Sequence, residues 1–119
     1  MVIQRNKMKT ETREKARGGE GSLGFVHLVD CENEKDLNLL AELTLQPGCS
    51  IGNHRHEGET EYFIILSGNG TVNDNGTIVP VKTGDVVITG NGASHSISNT
   101  GDVPLIFHAI IVVNMGGDT

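Results

Sequence analysis

The sequence predicts one all-β domain, a sandwich or barrel of short strands, on three observations. Apolar runs of strand length, rich in Val, Ile and Leu, follow one another from residue 22 onward. Turn signals part most of them: QPG, NDNG, KTGD, GNG and NTGD. Glycine is abundant at 16 of 119 residues, which suits tight turns and disfavours long helices. A chain of this length fits one domain and can bury a core without staples. Aromatics are 3% of the chain against 36% hydrophobic, so that core should be aliphatic.

Residues 1–21 are polar, carry mixed charges and end in Gly18, Gly19 and Gly21. They can form a frayed tail, a short helix, or an arm that docks on a partner subunit. Strands are then expected at 22–30, 37–45, 62–66, 70–72, 77–81, 85–89, 95–99 and 104–113. Residues 32–36 leave room for a single helical turn. Asn75-Gly76 suits a two-residue hairpin, because a type I′ turn needs positive φ at both central positions. Pro80 and Pro104 fall where proline is tolerated, at a strand edge and a strand start. The expected organisation is a polar arm at 1–21, a barrel at 22–114 and a flexible tail at 115–119.

Charge and cysteine content narrow the function. The formal net charge is -6, and no Lys/Arg stripe with interleaved aromatics is visible, so nucleic acid is not an expected partner. Cys31 and Cys49 do not resemble a secreted disulfide framework and read as reduced thiols. No long apolar run opens the chain. Neither a signal peptide nor a membrane span is expected, and a cytoplasmic location is the default.

The stretch GNHRHEGETEY, residues 52–62, points to chemistry. Residues two apart on a strand share a face, so His54 and His56 should present both imidazoles to one cation. A loop through residues 57–60 can bring Glu61 in at the start of the next strand. His95 follows a glycine-rich turn, GNGAS, opens another strand, and is the candidate fourth ligand. Three imidazoles and one carboxylate suit a borderline divalent metal such as Mn, Fe, Co, Ni, Cu or Zn. In a six-position shell four protein ligands leave room for water or substrate, the mark of a working site.

These residues also carry a family resemblance. GCSIGNHRHEGETEYFIILSG, 48–68, resembles the first cupin motif, and GDVVITGNGASHSISN, 84–99, resembles the second. Gly90 stands where proline is usual in that family, which should loosen the turn but removes no ligand. The resemblance implies a jelly-roll barrel, or double-stranded β-helix, with one divalent transition metal per chain inside it. It also implies a homodimer, often formed by exchange of N-terminal strands, a role the polar arm would fit.

Other residues have two readings each. Glu59 is a solvated mouth residue or a mobile acid or base above the metal. His27 and His108 are structural histidines, or, if they face the interior, hydrogen-bond partners of substrate or of a metal ligand. Arg17 is a solvated arm residue or a fixed positive charge for a carboxylate. Tyr62 is a proton-transfer or substrate-binding candidate, and Phe63 reads as barrel lining beside the site. The reading favours a metal-dependent enzyme on a small polar, carboxylate or sugar-derived molecule, of dioxygenase, decarboxylase or isomerase type. The alternative is a non-catalytic, metal-dependent small-molecule binding or sensing module. A purely structural metal fits least, because such sites are normally closed by four Cys/His ligands.

Overall fold

Alternating inward and outward residues make two antiparallel sheets, and the apolar parity closes them on each other. The computed structural model describes residues 1–114, so the tail expected at 115–119 lies outside the described residues. The strands are β1 (Lys9–Glu14), β2 (Ser22–His27), β3 (Leu37–Leu45), β4 (Ser50–Arg55), β5 (Glu59–Ser67), β6 (Asn69–Asp74), β7 (Thr77–Lys82), β8 (Val86–Gly90), β9 (Ser94–Ser98) and β10 (Leu105–Val113). One sheet has the order β1-β2-β3-β10-β5-β8, and the other β4-β9-β6-β7. The all-β jelly-roll expectation holds. Among the described residues no helix is long and apolar enough to cross a membrane.

Between the sheets lies the core. Phe63, Ile65, Leu45, Leu105 and Phe107 from the larger sheet meet Val72 and Ile97 from the smaller, all nearly inaccessible. Each alternates with an outward neighbour, as period-two strands require. Asn75 (φ 49°) and Gly76 (φ 102°) form the tip of the β6–β7 hairpin, closed by the Asp74–Thr77 pair. Pro80 sits in β7, an edge strand, where its missing N–H is harmless. The turn expected at 32–36 is a short 3-10 turn at Cys31–Asn33.

The N-terminal segment is more ordered than its composition suggests. β1 pairs along its whole length with β2 of the same chain, from Lys9–His27 to Glu14–Ser22. Its sequence, KTETRE, has no apolar residue, so the ladder with β2 and polar cross-strand contacts make it a strand. After it, a 3-10 turn at Ala16–Gly18 lies directly on β4. A Cβ on Gly52 would strike the Arg17 carbonyl, and one on Gly19 would strike the Ser50 carbonyl. Two glycines thus let the two backbones touch, and the contact carries Arg17 to the barrel mouth beside His54.

Candidate metal centre

β4 and β9 supply the imidazoles and β5 the carboxylate. His54 pairs with His95 across the β4–β9 ladder, after a bulge between Ile51 and His54. His56 follows the end of β4 and is held by its N–H on the Ala93 carbonyl. Glu61 shares the inward face of β5 with Phe63 and Ile65. His56, Glu61 and His95 are 2%, 5% and 1% exposed, an unusual depth for titratable groups.

The donor atoms converge. His95 Nε2 is 3.0 Å from His54 Nε2 and 3.1 Å from His56 Nε2. Glu61 Oε1 is 2.9 Å from His56 Nε2, 3.0 Å from His95 Nε2 and 3.9 Å from His54 Nε2. One ligand atom from each of the four residues lies within 4.8 Å of all the others. These separations suit one ion shared by all four residues.

Each ring is held from behind. His54 Nδ1 lies 2.7 Å from the Gly52 carbonyl, and His56 Nδ1 lies 2.7 Å from Glu59 Oε2. A carbonyl and a carboxylate only accept, so both Nδ1 atoms donate and both Nε2 atoms turn a lone pair inward. His95 Nδ1 lies 2.8 Å from the Thr89 hydroxyl, which can donate or accept. Lone pairs and a carboxylate facing one another need a shared cation. The donor set therefore fits a divalent transition metal.

Electrostatics keep the Glu61 carboxyl ionised and disfavour a proton on His95. Burial pushes the Glu61 carboxyl up, but the imidazoles of His54, His95 and His56 outweigh it and hold it down at about 2. Burial lowers His95 below the ordinary 6.5, against the raising effect of Glu61. Phe63 stacks on the His95 ring at 4.8 Å, fixing its plane.

Above the cluster is a cavity of about 290 Å³. His54, His56, Glu61 and Phe63 line it, together with Arg13 and Arg17. Arg13 is braced by Glu11 Oε1 at 2.8 Å and lies over the Phe25 ring at 4.4 Å.

The four expected ligands therefore come together, and Phe63 and Arg17 stand beside them. The remaining candidates do not reach the cavity. Glu59 is engaged with His56 Nδ1 behind the cluster, so it orients a ligand rather than standing free above the metal. Tyr62 and His108 occupy outward positions, alternating with Glu61 and Phe63 and with Phe107 and Ala109. His27 lies at the end of β2, bound to Glu11 at 2.6 Å, beside a second cavity of about 710 Å³. Gly90 does not loosen a turn: it closes β8 opposite Thr60, whose Oγ1 would lie 2.5 Å from any Cβ there. Sequence reasoning missed Arg13, because β1 has no apolar pattern, and Thr89, whose signal was its parity with buried Val87.

Comparison with known proteins matches this architecture. The Cupin domain family profile matches residues 41–113. A protein of Thermotoga maritima named oxalate-binding protein is 43% identical over 114 residues, covering 95% of this chain and 94% of its own. The crystal structure of a predicted oxalate decarboxylase from Thermotoga maritima superposes with a TM-score of 0.90 at 43% identity, over 96% of this chain and all of the other. The polyketide cyclase RemF of Streptomyces resistomycificus shares the fold alone, with a TM-score of 0.72 at 16% identity, over 99% of this chain and 87% of its own. The chain belongs to the cupin family, and its His54, His56, Glu61 and His95 cluster can hold a metal ion.

Proposed function

We propose that this protein binds a small dicarboxylate of the oxalate type on a divalent metal held by His54, His56, Glu61 and His95. One observation carries the reading: the four-ligand cluster and two arginines, Arg13 and Arg17, line one small cavity. The names of the Thermotoga maritima relatives support oxalate as the ligand. Manganese, iron, cobalt, nickel and zinc all suit the donor set.

The bound metal would supply positive charge and free coordination positions for carboxylate oxygens. This chain's residues do the rest. The Gly52 carbonyl and Glu59 keep the His54 and His56 lone pairs pointed inward. Arg13 and Arg17 bring guanidinium groups to the carboxylate oxygens that face the mouth, where planar two-point pairing is strongest. Phe25, Leu43 and Phe63 wall the cavity and limit water. The cavity, about 290 Å³, has room for a small diacid.

A second reading, decarboxylation of oxalate to formate and carbon dioxide, is favoured by the name of the Thermotoga maritima structure. That reaction must deliver a proton to carbon. Among the described residues lining the cavity the one carboxylate is Glu61, already a ligand. Glu59 is committed to His56. Binding without turnover is therefore the better-supported function. Calorimetry of metal-loaded protein with oxalate, malonate and acetate tests it, with a formate assay alongside. Oxalate binding that needs the metal, without formate, is the expected result. Formate release would establish the second reading, and no oxalate binding by loaded protein would defeat both.

A further inference from the structure

β1 is an edge strand of the larger sheet, and its inward face is charged. The ladder sets Glu11 opposite Phe25 and Arg13 opposite Leu23. Phe25 and Leu23 are buried and line the metal cavity, so Glu11 and Arg13 project to that same side of the sheet. Inward charges on an edge strand can guard it against pairing with other chains. Here they also form a closed ring of contacts. Glu11 Oε1 accepts from Arg13 Nε at 2.8 Å, and Glu11 Oε2 accepts from His27 Nε2 at 2.6 Å. His27 stacks on the Phe25 ring, with 5.4 Å between centroids and 11° between planes. Arg13 closes the ring by lying over Phe25.

We infer that Glu11 and His27 are positioning residues for the bound carboxylate: they fix the Arg13 guanidinium at the cavity before the ligand arrives. The inference rests on the reading of that cavity as a carboxylate site. Glu11 takes only Nε, and among the described residues no hydrogen bond occupies the two terminal nitrogens of Arg13. Those two nitrogens are the pair that meets a carboxylate at two points.

Stability does not account for the arrangement. The Arg13 side chain is 56% exposed, and ion pairs at such exposure contribute little to folding. Position does account for it. Arg13 lines both the metal cavity and the second cavity, where Glu11 and His27 also lie, so a free side chain has two places to go. Ordering a long side chain opposes binding, and holding it beforehand removes that opposition. Glu11 also sets a negative charge near the anion, which by itself weakens binding. Positioning and repulsion have opposite signs, so variants separate them.

Calorimetry of the full metal-loaded chain with oxalate, run as a double-mutant cycle, tests this. Glu11→Ala should weaken oxalate binding by about threefold to tenfold with bound metal retained. In a chain that already carries Arg13→Ala, the same change should matter by less than about twofold. Glu11→Gln keeps an acceptor for Arg13 Nε without the charge, and should restore most of what Glu11→Ala loses. His27→Ala is the second variant, should Glu11→Ala fail to fold, and should show the same dependence on Arg13. Unchanged or tighter binding by Glu11→Ala means that the carboxylate only repels the ligand, and overturns the proposal. So does an equal loss with and without Arg13, the mark of a general disturbance. Both of those failures leave the carboxylate site standing, because Arg13→Ala alone still weakens oxalate. Wild type that binds no oxalate, or Arg13→Ala that binds as wild type, defeats the reading of the cavity and the proposal with it.

Discussion

The chain brings imidazole to carboxylate in two places, and only one of them is built for a metal. His27 Nε2 meets Glu11 at 2.6 Å, closer than any imidazole comes to Glu61. Yet Glu11 also serves Arg13, its carboxyl is held down at about 2 by Arg13 and His27, and the pair sits near solvent. It is one carboxylate near the surface, shared between a guanidinium and an imidazole. In the cluster each ring is gripped at Nδ1 from outside, and three Nε2 atoms converge on one oxygen at depth. Proximity does not make a metal site. Converging lone pairs that cannot be protonated by their own supports do.

The largest expected effect follows from breaking the convergence. His95→Ala or His54→Ala should release the metal, whereas His27→Ala should leave metal content unchanged, as read by elemental analysis of dialysed protein. Next comes the support. Glu59→Ala leaves the His56 Nδ1 unheld and should weaken metal affinity by about 10- to 100-fold. Glu11→Ala, the matching change at the other pair, should alter metal affinity by less than about twofold, since Glu11 touches no ligand. Competition against a fluorescent chelator measures both.

Arg13 separates metal from ligand. Arg13→Ala should leave metal affinity intact but weaken oxalate binding by about tenfold, the size of one charge-assisted hydrogen bond. The smallest effect is a pH slope in the stability of metal-free protein. His95 is depressed on folding, so its contribution is full above 6.5 and is lost as pH falls below it. Glu61 is depressed to about 2, so its contribution is full above 4.5 and is lost as pH falls toward 2. Both signs agree: urea midpoints of metal-free protein should fall on acidification from neutral, and a rise would contradict the description of the site.

Much of this was legible in the sequence, for a physical reason. Period-two parity put His54 on one face, Phe63 with Glu61, and His108 opposite Phe107, so the ligand set needed only strands and a turn. What parity cannot reveal is a strand without an apolar face. β1 exists through its ladder with β2, and Arg13 became visible only with it. Ser50–Arg55 was legible only in part: the His54–His56 spacing implied strand geometry, but glycine, a bulge and polar residues hid the strand's extent. Glu59 was misjudged because it lies where loop becomes strand, and its partner, His56 Nδ1, is a contact that spacing does not encode. Tyr62 was misplaced by proximity in sequence to Glu61, although parity turns it outward.

The most direct test of the account is elemental analysis of untagged protein, purified without chelators or nickel columns, beside its His95→Ala variant. The account predicts about one equivalent of a divalent transition metal per wild-type chain and less than about a tenth of that in the variant. A wild-type chain that stays empty even after reconstitution, or a variant that stays full, would contradict it.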